Sequence, residues 1–98
     1  MFIVITYDVN TTTPAGQKRL RAIAKCCVAH GQRVQNSVFE CSVDAAQYRL
    51  LKARLCDIAD ENDDSIRFYN LGNHSKTRIE TYGHRIDSYD AEEGFLSI

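Results

Sequence analysis

The sequence has little of what makes a chain disordered, fibrous or membrane-spanning. It holds one Pro, five Gly and no Trp among 98 residues, and its formal net charge is −1. A low-complexity or collagen-like chain needs far more Pro and Gly, and a disordered chain has fewer hydrophobic residues than the 44% present here. No stretch of about 18 apolar residues occurs, so no membrane-spanning segment is predicted. The composition therefore indicates one globular domain with a thin core.

Targeting signals and common cofactor motifs are also missing. The amino-terminal residues lack a basic region and are interrupted by Asp8, which does not fit a signal peptide. No P-loop, GxGxxG or G-x-S-x-G occurs, and the three histidines are scattered. The cysteines form no C-x-x-C pair and match neither a zinc site nor a disulfide framework; they are Cys26, Cys27, Cys41 and Cys56. We therefore expect reduced, buried thiols in a cytoplasmic protein.

Charge is divided unevenly along the chain. Residues 1–54 carry a net charge of +5, whereas residues 55–98 carry −6. A folded surface can therefore present a basic patch although the total charge is nearly neutral. For the acidic run we favour a solvated helix end over a metal site. That run comprises Asp57, Asp60, Glu61, Asp63 and Asp64.

Two helices are predicted from apolar residues at helical spacing. The first covers residues 14–30, with Thr13 as its N-cap, Pro14 at its first position and Gly31 as its stop. Its predicted apolar face consists of Leu20, Ile23, Ala24, Cys27 and Val28. The second helix opens with a capping box of Asp44 and Gln47. Its core stripe consists of Tyr48, Leu51, Leu55 and Ile58.

The remaining patterned segments predict strands. An apolar run covers residues 2–9, and residues 65–71 alternate between apolar and polar. Residues 32–43 are too long for one strand, and a turn at Asn36–Ser37 divides them into two. The order β-α-β-β-α-β predicts an α+β, ferredoxin-like fold, an antiparallel sheet with both helices on one face.

Three further expectations concern the uncovered sheet face and the carboxyl-terminal part. The first strand is apolar on both sides, so the face without helices needs a cover, and a second copy of the chain is the simplest one. Residues 77–82 predict an extra carboxyl-terminal strand that could reach the partner's sheet edge. We thus expect a homodimer, a domain over residues 1–82 and a tail over residues 83–98.

Asp8 is the first candidate for chemistry, because it ends an apolar strand beside a polar loop. A carboxylate there must be solvated, hydrogen-bonded or paired with a cation. One interpretation is a local turn in which Asp8 bonds the amides of Asn10 or Thr11. The other is that two Asp8 carboxylates meet at a two-fold axis and hold Mg²⁺ or Mn²⁺, which could promote phosphodiester hydrolysis.

A basic cluster and two aromatic residues are the other candidates. Lys18, Arg19, Arg21 and Arg33 could hold phosphates, with Lys25 extending the patch, or they could pair with the acidic second half. Ser37 and Phe39 flank the turn in the predicted strand pair. Phe39 fits either the core or stacking on a base, and Tyr7 fits either a phosphate contact or the sheet interior.

Four segments together resemble the CRISPR-associated protein 2 family. They are Tyr7-Asp8-Val9, Lys18-Arg19-Leu20-Arg21, Gly31-Gln-Arg-Val-Gln-Asn-Ser-Val-Phe-Glu40 and Ser65-Ile-Arg-Phe-Tyr-Asn-Leu-Gly72. The resemblance covers roughly residues 1–82, and its most specific part is Gln-Asn-Ser-Val-Phe-Glu combined with Tyr-Asp-Val. It implies a ferredoxin-like homodimer with an exchanged carboxyl-terminal strand. It also implies metal-dependent cleavage of RNA or double-stranded DNA, and spacer capture beside the CRISPR-associated protein 1 integrase.

The resemblance also assigns roles to single residues. Asp8 would be the catalytic metal ligand, one from each subunit. Phosphate binding would fall to Arg19, Arg21 and Arg33, with Ser37 and Phe39 near the site. Many members carry a further acidic residue just after the first strand, whereas this chain has Asn10-Thr-Thr-Thr-Pro14.

Two functional hypotheses follow, and they differ on Asp8. The first is a dimeric Mg²⁺- or Mn²⁺-dependent endonuclease of antiviral defence, which needs Asp8. The second is a non-catalytic dimeric scaffold that binds DNA and docks the integrase, which does not. An RNA-recognition sheet ranks below both because its sequence signature is missing. A regulatory ligand-binding domain is also compatible with the fold alone.

Overall fold

The computed structural model describes residues 1–73, 79, 80 and 82. Two helices and four strands follow one another in the predicted order β-α-β-β-α-β. They are β1 (Phe2–Asp8), α1 (Pro14–His30), β2 (Gln32–Gln35), β3 (Val38–Ser42), α2 (Ala45–Ile58) and β4 (Ser65–Asn70). The predicted strand over residues 77–82 lies largely outside the described residues, and the predicted tail over residues 83–98 lies wholly outside them.

The four strands form one antiparallel sheet in the order β2-β3-β1-β4. In the register, Ile5 stands opposite Phe39 of β3 and Phe68 of β4, and Asp8 stands opposite Ser65. The β2–β3 pairing shifts between Arg33 and Gln35, next to the turn at Asn36–Ser37. This topology confirms the ferredoxin-like α+β fold expected from the sequence.

Both helices pack on one face of the sheet. The core cluster contains alternate residues of β1 together with residues from both helices. Its members include Ile3, Ile5 and Tyr7 of β1, Ile23 and Cys27 of α1, Phe39 and Cys41 of β3, and Leu51 and Leu55 of α2. Since neighbours along a strand point to opposite faces, residues 2, 4, 6 and 8 of β1 belong to the other side, here called the outer face.

The helices begin where their capping residues predict. The Thr13 hydroxyl accepts a hydrogen bond from the Gly16 N–H at 3.1 Å, and Pro14 is the first residue of α1. In α2, the Asp44 carboxylate accepts from the Gln47 N–H at 2.7 Å, and the Gln47 side chain accepts from the Asp44 N–H at 2.9 Å. The capping box predicted from the sequence is therefore confirmed.

The apolar face predicted for α1 is wrong at one residue. Val28 is 53% exposed, whereas Ile23 and Cys27 are buried. Val28 follows Cys27 and so lies about 100° around the helix from it, outside the part of α1 that contacts the core. The four-residue period alone could not place this boundary, because it depends on how far α2 and the sheet extend.

The outer face of the sheet mixes apolar and polar side chains. Val4 is half-buried and stands opposite Glu40 of β3 and Tyr69 of β4. Tyr69 is 43% exposed, and its hydroxyl accepts a hydrogen bond from Arg67 Nη1 at 3.0 Å. In the described part of the chain no helix packs on this face. Neither α1 nor α2 is long and apolar enough to cross a membrane.

Candidate functional site

Asp8 is an exposed carboxylate at the end of the central strand β1. Within the described residues its side chain makes no hydrogen bond and no ion pair. The local turn considered as an alternative is made by other groups, because the Asn10 N–H donates to Asp64 Oδ1 at 3.1 Å. Asn10 Oδ1 in turn accepts from the Thr12 N–H at 3.0 Å. The Asp8 carboxylate therefore faces solvent at the end of β1 and is available to a ligand.

Asp64 ties the loop after Asp8 to two other parts of the fold. Besides Asn10, it accepts hydrogen bonds from the Asp60 N–H at 2.9 Å and from Arg19 of α1. The Arg19 contact is two-pronged, with Nε at 2.7 Å from Oδ2 and Nη2 at 3.3 Å from Oδ1. The Asp64 side chain has no exposed surface. We call Asn10, Arg19, Asp60 and Asp64 the loop junction.

The electrostatics of the loop junction favour the charged forms of both partners. The hydrogen bonds from Arg19 lower the pKa of the Asp64 carboxyl from 3.8 to about 2, more than its burial raises it. The same contact raises the pKa of the Arg19 guanidinium. Arg19 was a predicted phosphate ligand, yet its planar group is occupied by Asp64 and its side chain is 19% exposed. Of the two interpretations, pairing with the acidic second half describes this arginine.

Tyr7, Phe39 and Arg33 stack on one another on the helix side of the sheet. The rings of Tyr7 and Phe39 are 5.8 Å apart, and Arg33 Cζ lies 5.1 Å from the Phe39 ring centre. Phe39 has no exposed surface and Tyr7 is buried, so both rings belong to the core. A base could not stack on Phe39 without opening the core, and the core interpretation therefore fits this geometry.

The β2–β3 turn lies beside the end of β1. The Tyr7 N–H donates to the Ser37 carbonyl at 3.2 Å, and the Tyr7 hydroxyl donates to the Asn36 carbonyl at 3.3 Å. Ser37 is half-buried, and its hydrogen-bond partner Tyr7 directly precedes Asp8. The structure thus brings Tyr7, Asp8, Ser37, Phe39 and Arg33 to the same end of the sheet.

Three cations remain on the surface of α1. Lys18, Arg21 and Lys25 are all exposed, and their spacing of three and four residues places them along one side of the helix. We call these three residues the basic ridge. Exposed cations along a helix are suited to phosphates of a nucleic-acid backbone, which they contact without desolvating a buried charge.

The described residues of one protomer offer few donors for a metal ion. Among residues 1–73, 79, 80 and 82, no three His, Cys, Asp or Glu side chains cluster in a way that could hold a metal. Burial, helped by the neighbouring Cys26 and Cys41 thiols, raises the pKa of Cys27 to about 12, so this thiol is protonated near neutral pH. Asp8 is an oxygen donor of the type that Mg²⁺ and Mn²⁺ prefer. The described residues of one protomer therefore supply only part of a metal site.

Two residues of this region were not singled out in the sequence. Asp64 was assigned to a solvated acidic run, although its partner Arg19 is 45 positions away. Gly16 is buried at the start of α1, and a Cβ there would overlap the Asn10 carbonyl. The opposite charges of the two halves were the available signal for Asp64, but they name no partner. Gly16 gives no signal beyond being a glycine inside a helix.

Comparison with known proteins gives consistent matches. Residues 1–79 match the family model of the CRISPR associated protein Cas2. The CRISPR-associated endonuclease Cas2 of Halalkalibacterium halodurans is 52% identical over 96 residues, which cover 98% of this chain and 99% of that protein. The CRISPR-associated endoribonuclease Cas2 1 of Moorella thermoacetica is 55% identical over 83 residues, covering 85% of this chain and 86% of that protein.

Solved structures give the same result at the level of the fold. The crystal structure of Streptococcus pyogenes Cas2 at pH 6.5 superposes with a TM-score of 0.75. It is 61% identical, and the match covers 85% of this chain and 100% of that chain. A family model that spans most of the chain and relatives at about half identity leave one conclusion. The chain belongs to the CRISPR-associated protein Cas2 family.

Proposed function

We propose that the protein is a CRISPR-associated endonuclease that needs Mg²⁺ or Mn²⁺ and hydrolyses phosphodiester bonds of double-stranded DNA or single-stranded RNA. Its cellular role would be spacer acquisition in antiviral defence. The relatives carry the names endonuclease and endoribonuclease. The observation that carries the proposal is Asp8, an exposed carboxylate without a protein partner in the described chain, fixed at the end of a central strand.

A homodimer would complete the site. Among the described residues no cluster of three metal-binding side chains is present, and Asp8 belongs to the outer face, where Val4 and Tyr69 provide apolar surface for a second copy. Two carboxylates that approach one another need a cation or a shared proton. A dimer formed through the outer face would therefore bring together two Asp8 side chains and a divalent cation.

The residues of the chain would then divide the work. Bound Mg²⁺ or Mn²⁺ would supply Lewis-acid polarisation of the scissile phosphate. Asp8 would hold the ion, and the basic ridge would bind phosphates on either side of the cut. Hydrolysis joins a water oxygen to phosphorus and breaks one ester P–O bond, so cations near the phosphate offset the charge that builds up. Ser37 would stand next to the site through its contact with β1.

A cleavage assay tests this proposal. Wild-type protein, Asp8→Asn and the matched control Asp57→Asn would be incubated with duplex DNA and with single-stranded RNA, each in Mg²⁺, Mn²⁺ or EDTA. Asp57 is exposed in the last turn of α2 and takes no part in the loop junction. We expect cutting only with a divalent ion, its loss in Asp8→Asn and its retention in Asp57→Asn. Equal cutting by Asp8→Asn and wild type would refute the role of Asp8.

A second candidate function is a non-catalytic dimeric DNA-binding scaffold for the CRISPR-associated protein 1 integrase. The loop after Asp8 has no acidic residue, so each protomer offers few metal ligands, while the basic ridge is fully available to DNA. On this alternative Asp8→Asn leaves DNA binding and spacer integration at wild-type levels. Replacing Lys18 and Arg21 by Ala lowers both. Loss of integration in Asp8→Asn would argue against the scaffold.

A further inference from the structure

We propose that Asp64 is a positioning residue for Asp8 and that Arg19 acts with it. This inference rests on the proposed function, since it concerns how the Asp8 carboxylate is held for a divalent ion. It assigns Arg19 to the support of the site rather than to the nucleic acid. Asp64 itself has no exposed surface and does not contact the substrate.

The first argument is that residues 64 and 65 hold the chain at Asp8 and at Asn10, the two ends of the segment where β1 leads into the loop. Asp8 is opposite Ser65 at the end of the β1–β4 pairing, so its backbone is fixed against the start of β4. The preceding residue, Asp64, binds the Asn10 N–H, which lies two positions beyond Asp8. The segment from Asp8 to Asn10 is therefore attached at both ends to two consecutive residues.

The second argument is that Asp64 is itself fixed from two directions. Its two oxygens receive the planar fork of Arg19 from α1 and the Asp60 N–H from the turn before β4. A carboxylate with this many charge-assisted and backbone hydrogen bonds has little rotational freedom. The loop after Asp8 is consequently located relative to α1, and the basic ridge lies on the same helix.

The third argument is the close packing at Gly16. Its N–H is bound by Thr13, and a Cβ at this position would overlap the Asn10 carbonyl. The start of α1 thus packs closely against Asn10, the residue whose N–H is bound by Asp64. Two contacts therefore position Asn10. One is the hydrogen bond to the Asp64 carboxylate and the other is the close packing against Gly16, and both can be changed without replacing Asp8.

The main test compares Asp64→Asn with Asp63→Asn, which removes one negative charge from the neighbouring exposed position. Binding of Mg²⁺ is followed by the amide NMR shift of Asp8, and cleavage is measured as kcat and KM at saturating Mg²⁺. Because a displacement of about 1 Å can cost on the order of a hundredfold in rate, we expect Asp64→Asn to lower kcat by about tenfold or more. We also expect weaker Mg²⁺ binding and an unchanged KM. Asp63→Asn should match wild type.

Two further variants keep the test decisive if Asp64→Asn folds poorly. Arg19→Lys preserves the charge but not the two-pronged contact, and Arg49→Lys, at an exposed position of α2, is its matched control. Gly16→Ala displaces Asn10 without changing any charge. Arg19→Lys and Gly16→Ala should weaken Mg²⁺ binding at Asp8 and leave nucleic-acid binding in EDTA within about twofold, since neither replaced group carries an exposed phosphate contact. The control Arg49→Lys should leave Mg²⁺ binding unchanged.

The outcomes separate this inference from the proposed function. A folded Asp64→Asn protein with wild-type kcat and Mg²⁺ affinity overturns the positioning role, even if Asp8→Asn is inactive. A loss confined to thermal stability, with kcat unchanged well below the melting temperature, also overturns it. If Asp8→Asn cleaves like wild type, the proposed function fails instead. Hydrogen exchange then tests whether Asp64 fixes the loop. If it does, the Asn10 amide should exchange faster in Asp64→Asn than in wild type, and equal exchange rates would overturn this claim.

Discussion

Arg19 and Arg21 lie two positions apart on α1, yet they differ in exposure and in their contacts with the rest of the fold. Arg19 is bound to the buried carboxylate of Asp64, whereas Arg21 is exposed on the basic ridge. The sequence places both in one basic cluster and cannot separate them, because the partner of Arg19 is 45 residues away. A local pattern shows which residues a helix carries, but not which of them the rest of the fold engages.

This difference predicts opposite results for two alanine variants. Arg21→Ala should weaken duplex DNA binding and make its salt dependence shallower by about one counterion, since an exposed phosphate contact is lost. Its unfolding free energy should change by less than about 0.5 kcal/mol, as is usual at exposed positions. Arg19→Ala should instead lower stability, because it leaves the Asp64 carboxylate buried without its cation. Fluorescence anisotropy at several salt concentrations and urea unfolding measure the two effects.

The lowered pKa of Asp64 predicts how stability depends on pH. The folded state favours the ionised carboxylate, whose pKa falls from 3.8 to about 2. The contribution of this group is therefore fully present above about pH 4 and is lost as pH falls towards 2. The stability difference between wild type and Asp64→Asn, read from urea midpoints, should shrink over this interval. A difference that stays constant from pH 5 to pH 2 would contradict the assignment.

Among the helices and strands, the features read best from the sequence are those with local causes. Thr13 and Pro14 mark the start of α1, and the Asp44–Gln47 box marks the start of α2, because each cap acts within three residues. The β2–β3 turn at Asn36–Ser37 is local as well. Val28 was misassigned because its exposure depends on neighbouring elements rather than on the helical period.

The capping box predicts a measurable loss when it is removed. Asp44→Ala deletes the carboxylate that binds the Gln47 N–H at 2.7 Å and leaves the first turn of α2 without that acceptor. We expect the free energy of unfolding to fall by about 1 kcal/mol. Asp57→Ala, in the exposed last turn of the same helix, should change it by less than about 0.5 kcal/mol. Urea unfolding of both variants at pH 7 measures these changes, and an equal loss of unfolding free energy in the two would contradict the capping role.

At the scale of the whole molecule, the fold was accessible from the sequence but the complete site was not. The order of elements and their apolar faces led to one sheet with both helices on one side, as the structure shows. The proposed metal site is incomplete within the described residues, which contain no cluster of three metal-binding side chains. In the dimer proposed above a second copy of the chain would complete it, and sequence patterns do not describe the geometry between two copies.

A substitution on the outer face tests the proposed dimer. Val4→Lys places a cation on this face, opposite Glu40, where a lone protomer can keep it solvated but a sheet-to-sheet dimer would have to bury it. Leu50→Lys is the matched control, because Leu50 is 71% exposed on α2. By equilibrium sedimentation near neutral pH, wild type and Leu50→Lys should have the mass of two chains and cut nucleic acid, and Val4→Lys should have the mass of one and not cut. A wild-type mass of one chain would remove the shared carboxylate site, and a monomeric Val4→Lys protein that still cuts would show that one Asp8 is enough.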